Sequence, residues 1–136
     1  MPTVTPFFET LSTDECAELL RRAPVGRIAI SIGALPVVLP VNFVVQDRAI
    51  VIGTVAGTQL AAATSEAVVA FEAGDFEPDG RSGWSVMVQG LSSEVKDPVE
   101  LDQVRRAGLE SWVLEGRADR VVRIDMQVVT GRRFSK

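Results

Sequence analysis

The stretch Ile52-Gly53-Thr54-Val55-Ala56-Gly57-Thr58-Gln59-Leu60 gathers residue types that could hold an anion. An apolar, β-branched run leads into Gly57 and Thr58, and an Ala-rich segment suited to a short helix follows. At such a strand-to-helix junction the first backbone N–H groups of the helix have no intrahelical acceptor, so they can meet a phosphate or carboxylate. Glycine lets the backbone approach closely, and threonine hydroxyls add donors. Two more stretches carry marks of a site. Leu39-Pro40-Val41-Asn42-Phe43 is a strand with an internal proline, and Gly83-Trp84-Ser85-Val86-Met87-Val88-Gln89-Gly90 is a strand opened by an indole and a hydroxyl and ending at glycine.

What is missing narrows the chemistry further. The chain has no histidine and no tyrosine. Ser-His-Asp and Cys-His catalysis, H-E-x-x-H zinc chemistry, imidazole general bases and phenolic proton donors are all excluded. Any difficult chemistry must therefore come from a bound cofactor that the protein holds and shields. Cys16 is the single cysteine, which removes internal disulfides and CxxC motifs, and its helical spacing with Leu19 and Leu20 predicts a core thiol. Asp75, Glu77, Asp79 and Gly80 imitate the start of a calcium loop, but the twelfth position, which must supply a bidentate carboxylate, is Val86. A solvated turn is the better reading. No G-x-G-x-x-G or G-x-x-x-x-G-K-[ST] pattern occurs, so Rossmann and P-loop sites are excluded.

The 136 residues suit one domain, 1–136. With 46% apolar residues and a mean hydropathy of +0.20, the chain has more apolar surface than a lone domain of this size needs. That surplus predicts a subunit interface, a cofactor cleft, or both. Net charge is −4, lysine occurs only at Lys96 and Lys136, and the arginines are scattered, so nucleic acid is not an expected partner. Met1 to Glu9 lacks a basic n-region with a long apolar core, and no apolar run is long enough to span a membrane. A cytoplasmic protein without a membrane partner is expected.

The elements that must position these residues follow from pattern. Ser12 and Glu15 form a capping box that starts a first helix, and Leu19, Leu20 and Ala23 continue its apolar face to Pro24. Val25 to Ile32 and Leu35 to Val45 alternate as strands around a Gly33-Ala34 turn, and Pro36 and Pro40 push the second toward a sheet edge or bulge. Gln46-Asp47-Arg48 turns into a strand over Ala49 to Thr54. A short helix over Gly57 to Thr64 and strands over Ala67 to Ala73 and Gly83 to Val95 come next. Asp97-Pro98-Val99-Glu100 starts a helix carrying Leu101, Val104 and Leu109. A polar loop over Glu115 to Asp119 precedes a final strand pair, Arg120 to Asp125 and Val128 to Phe134.

Taken together, these segments resemble the flavin-binding split β-barrel proteins of the pyridoxamine 5'-phosphate oxidase-like superfamily, over roughly Leu11 to Phe134. The resemblance implies a mainly β fold, a split barrel of six to seven mostly antiparallel strands with short helices, and a homodimer with cofactor sites between the subunits. It implies that Val38, Leu39, Pro40, Val41 and Asn42 lay backbone groups along the edge of a flavin ring. Thr54, Gly57 and Thr58 match the T-x-x-G-S/T phosphate turn, and Trp84 and Ser85 lie where the partner subunit often meets the cofactor. The position after that turn is usually lysine or arginine, and here it is Gln59. Loss of a hydrogen bond to a charged group, roughly 1.5–3 kcal/mol, would weaken phosphate binding unless another arginine compensates. Arg27, on the first strand, is the candidate.

The function so implied is an FMN-dependent oxidoreductase passing hydride to an unknown small substrate with no obligatory protein acid or base. The deazaflavin cofactor F420 is the alternative within the same fold. A non-catalytic flavin- or haem-binding protein, or an interaction module with a decayed site, is the reading from another class, and Gln59 is the residue that favours it.

Overall fold

A computed structural model describes residues 8–109 and 120–135 of the chain; Trp112 and the expected loop over Glu115 to Asp119 lie outside the described residues. The elements run β1 (Phe8–Thr10), α1 (Thr13–Arg22), β2 (Gly26–Ile32), β3 (Leu35–Val41), β4 (Val44–Gln46), β5 (Ala49–Thr54), α2 (Gln59–Ala63), β6 (Ala67–Phe76), β7 (Gly83–Val95), α3 (Pro98–Arg106), β8 (Arg120–Asp125) and β9 (Val128–Phe134). All pairings are antiparallel, in the order β3-β2-β6-β7-β8-β5-β4, with β9 on β7 and β1 on β9.

The two ends of that order are neighbours in the chain. β3 ends at Val41 and β4 begins at Val44, so Asn42 and Phe43 alone connect them. Three Cα steps reach at most about 11 Å, which forces the sheet to curl until its ends almost meet. The split arises on β7, whose first part, Gly83 to Gln89, pairs with β9 while its last part, Ser92 to Val95, pairs with β8. At the changeover the Leu91 N–H donates to Gln127 Oε1 at 3.1 Å. Gly90 is required there because a Cβ would collide with the Asp125 carbonyl oxygen.

The expected mainly β, antiparallel split barrel forms, with nine strands among the described residues where six to seven are expected. The Leu35 to Val45 segment is broken at Asn42-Phe43, where the chain crosses the barrel end, and three-residue β1 is too short to show a period. Pro36 and Pro40 do sit on an edge strand, facing Ser31 and Arg27 of β2. The second helix is shorter than expected, with Thr58 as its N-cap, and β6 runs on to Phe76.

The core fills the curl. Phe71 of β6 is fully buried and meets Phe43 edge-on, with ring centroids 4.7 Å apart, and its ring occupies the space a side chain at Gly26 would need. α1 closes one side. Its capping box forms as expected, with the Glu15 N–H donating to Ser12 Oγ at 3.2 Å and the Ser12 N–H to Glu15 Oε1 at 3.0 Å. Cys16, Leu19 and Leu20 face inward, and Cys16 packs where a Cβ on Gly131 of β9 would stand. Burial, with Glu15 adding to it, pushes the Cys16 thiol above its ordinary range, so it stays protonated and packs as a small apolar group. Among the described residues no helix is long and apolar enough to cross a membrane.

Candidate functional site

The strand-to-helix junction forms as the sequence pattern predicts, and its groups divide into two kinds. Thr58 caps α2: its Oγ1 accepts from the Ala61 N–H at 3.1 Å and donates to the Val55 carbonyl at 2.7 Å. The Thr58 N–H also bonds Val55 O at 3.2 Å, and Gly57 takes the left-handed conformation, φ +84°, that closes this turn. The Thr58 hydroxyl is thus spent on the fold. Thr54 is fully buried, with its hydroxyl against Arg120, so it shapes the turn from beneath and presents nothing to a ligand. What remains available is backbone. Among the described residues the N–H groups of Gly57 and Gln59 have no acceptor in the protomer, and the Gln59 side chain is exposed.

These groups open on a cleft of about 380 Å³ lined by Ala56, Gly57, Thr58, Ala61, Ala62, Ser65, Glu94 and Arg120. Small side chains leave room for a ligand group against the backbone. The cation at the base is Arg120, 9% exposed, which sequence reasoning treated only as the first residue of a strand. The β5–β8 register sets Arg120 directly opposite Thr54. Its guanidinium meets five acceptors. Nη2 donates to Ser65 Oγ at 2.9 Å and to Thr64 O at 3.3 Å, and Nη1 to Thr64 Oγ1 at 3.1 Å and Thr54 Oγ1 at 3.4 Å. Nε lies 3.5 Å from Glu94 Oε1 as an ion pair. The signal that could have revealed it is the pairing of the two strands, since antiparallel β5 and β8 of equal length must bring Thr54 and Arg120 together.

Arg27 is not brought to this turn. It points outward from β2 and pairs with Glu72 of β6 at 3.1 Å, while Glu72 accepts from Ser85 Oγ at 2.9 Å. Arg27 instead lines a second cleft of about 540 Å³ at the barrel end with Leu19, Arg22, Ala23, Pro24, Val25, Gly74, Asp75 and Trp84. The two clefts share no residue. The physical reason is register: Arg27 faces Pro40 and Glu72, on the far side of the sheet order from β5 and β8. Within the chain, Thr54, Gly57, Thr58 and Gln59 form one group, and Arg27, Trp84 and Ser85 another.

The edge-strand residues form a third group. β3 ends the sheet order, so its outer side has no partner strand among the described residues. Val38 and Pro40 are exposed, Leu39 is half-buried and Val41 is buried, the alternation of a half-covered strand. Asn42 donates from Nδ2 to Pro24 O at 3.5 Å.

Comparison with known proteins gives this geometry a context. The sequence pattern of the pyridoxamine 5'-phosphate oxidase family matches residues 12–133. The uncharacterized protein Rv0080 of Mycobacterium tuberculosis is 40% identical over 134 residues, covering 91% of this chain and 84% of its own length. Among solved structures, a FAD-binding protein from Mycobacterium smegmatis superposes with a TM-score of 0.79 at 36% identity, covering 92% of this chain and 97% of that one. A FAD-binding protein from Mesorhizobium loti does so with a TM-score of 0.76 at 26% identity, covering 95% and 98%. With the split barrel in place and a family match that spans nearly the whole of it, the chain belongs to the pyridoxamine 5'-phosphate oxidase family.

Proposed function

We propose that this chain is a flavin-binding oxidoreductase, and that FAD suits it better than FMN. The observation that carries the reading is the 36% identity to a FAD-binding protein across 92% of the chain. The cleft chemistry supports it. The phosphate of FMN is a monoester carrying roughly −1.5 to −2 charges at neutral pH, whereas each phosphate of the FAD pyrophosphate has one ester and one anhydride bond and carries a single charge. Here the turn offers two N–H donors, a neutral Gln59, and an arginine already paired with Glu94, a set that matches a singly charged group. The residues present therefore fit the singly charged phosphates of a pyrophosphate.

When bound, a flavin would supply hydride transfer. The protein's share is to hold and to exclude. Gly57 and Gln59 N–H groups would meet phosphate oxygens, and the open edge of β3 over Val38 to Asn42 would lie along the ring. With no histidine or tyrosine in the chain, no imidazole or phenol takes part in proton transfer. We further infer a homodimer that completes the site, because the groups around Trp84 and around Gly57 lie in separate clefts of one protomer.

Titration of the purified protein with FAD, FMN and F420, followed by absorbance and cofactor fluorescence, tests the reading. FAD should bind more tightly than FMN. F420 binding without flavin binding would reassign the cofactor, and no binding of any of the three would remove the function. Turnover with an electron donor separates an oxidoreductase from a flavin-storing protein, the alternative that the neutral Gln59 favours.

A further inference from the structure

α2 is five residues long, far below the length at which a helix holds itself together in water, yet it must keep the Val55 to Thr58 turn in one shape. Something outside the helix has to fix it. The Thr58 cap secures the first turn, and the last turn is secured from β8. Arg120 reaches across to take the Thr64 carbonyl and hydroxyl and the Ser65 hydroxyl, which satisfies acceptors at the helix's end, and also touches Thr54 at the end of β5. One planar group thus ties the strand before the turn to the helix after it. Its Nε also lies 3.5 Å from Glu94 Oε1 of β7 as an ion pair, which holds the guanidinium against the barrel wall.

Nη1 and Nη2 each make two hydrogen bonds within the protein, and Nε lies in an ion pair with Glu94, so the guanidinium is engaged by the fold and not aimed at a ligand. We propose that Arg120 is the positioning residue of the phosphate subsite: its hydrogen bonds to Thr54, Thr64 and Ser65 set the turn so that the Gly57 and Gln59 N–H groups converge on one anion. This rests on the flavin-phosphate reading above and names the residue that makes a turn without a cation at position 59 competent. A lysine would keep the charge but offers three donors on a flexible stem, so it cannot span Thr54, Thr64 and Ser65 together.

The test compares binding of FAD, FMN and riboflavin, which shares the ring but lacks phosphate, in wild type, Arg120→Lys, Thr64→Val and Thr64→Ser. Arg120→Lys should weaken FAD and FMN on the order of tenfold and riboflavin by less than about twofold. Thr64→Val, which removes the hydroxyl that accepts from Arg120 and donates to the Leu60 and Ala61 carbonyls while nearly preserving shape, should do the same to a smaller extent and decides the matter if Arg120→Lys fails to fold; Thr64→Ser, which restores the hydroxyl, should recover wild-type affinity. Equal weakening of riboflavin and the phosphorylated flavins would make Arg120 a general stability residue and overturn the proposal. So would unchanged binding in the folded variants. A wild-type protein that binds no phosphorylated flavin fails the flavin reading itself, and this proposal with it.

Discussion

At the scale of single residues, the proposed phosphate turn combines groups that sequence could name with one that it could not. Thr54, Gly57, Thr58 and Gln59 are legible because they lie within six residues of one another, but their division of labour is not: two hydroxyls are used inside the protein and the backbone is left available. Gln59 is exposed on α2, so its replacement changes charge without disturbing packing. Gln59→Lys should tighten FMN by about 1–2 kcal/mol and FAD by less, since the monoester carries more charge to be met; a fluorescence titration showing no gain for FMN in a folded variant would count against the turn as the phosphate site. Gly90 makes a separate point about backbone proximity. A side chain there meets a carbonyl oxygen that belongs to the β8–β9 turn and cannot rotate away, so Gly90→Ala should destabilise the fold by about 1–3 kcal/mol or more, read as a lower denaturant midpoint. Arg120 escaped the sequence reading for a physical reason. A buried arginine looks like any strand-edge arginine until the register of a partner strand some sixty residues away is known.

At the scale of elements, the local rules that worked are those with a chemical cause. The Ser12–Glu15 capping box is one, and it makes a pH-dependent prediction. Hydrogen bonds from the Ser12 backbone and side chain hold the Glu15 carboxyl below its ordinary value, with Arg133 adding slightly. A carboxyl whose folded value is depressed stabilises above its unfolded value and loses that contribution as pH falls through the folded one. Glu15→Ala should therefore lower the melting temperature at neutral pH, and the gap to wild type should close in acid, below the usual carboxylate range; a gap that persists unchanged there would mean that Glu15 acts through something other than its charged cap. Ala49–Thr54, Gly83–Val95, Arg120–Asp125 and Val128–Phe134 formed with the boundaries that alternation and turn residues suggest. The Leu35 to Val45 run did not. Its alternation continues through Asn42 and Phe43 because Val41 at the end of β3 and Phe43 in the connection are both buried, so the pattern carries no mark of the point where the chain crosses the barrel end. Closure is a property of strand order, which local period does not encode.

At the scale of the whole molecule, the apolar surplus has a location. The registers align Val38 of β3, Ala29 of β2, Ala70 of β6, Gln89 of β7 and Val128 of β9 in one transverse row on the outward face. The next row holds Pro40, Arg27, Glu72, Met87 and Thr130, and its two charges cancel in the Arg27–Glu72 pair. Val38 and Val128 are 61% and 50% exposed, and Val68, also outward on β6, is 73% exposed. Five strands about 4.8 Å apart make a face roughly 20 Å across with little net charge, a surface that monomeric proteins seldom leave in water. The proposed second copy of the chain would cover this face and would also account for the divided site, setting one protomer's Trp84 and Arg27 cluster beside a cofactor held by the other. The wild-type protein should sediment as a dimer at micromolar concentration. Ala70→Glu places a charge at the centre of the row, where the protomer leaves it half-exposed, so the single chain should keep its β-type circular dichroism while the dimer dissociates. Flavin affinity should fall with dissociation and recover at protein concentrations that restore the dimer. Wild-type monomers that bind flavin as tightly as any assembled form would show that one barrel suffices, and the face would then need another partner.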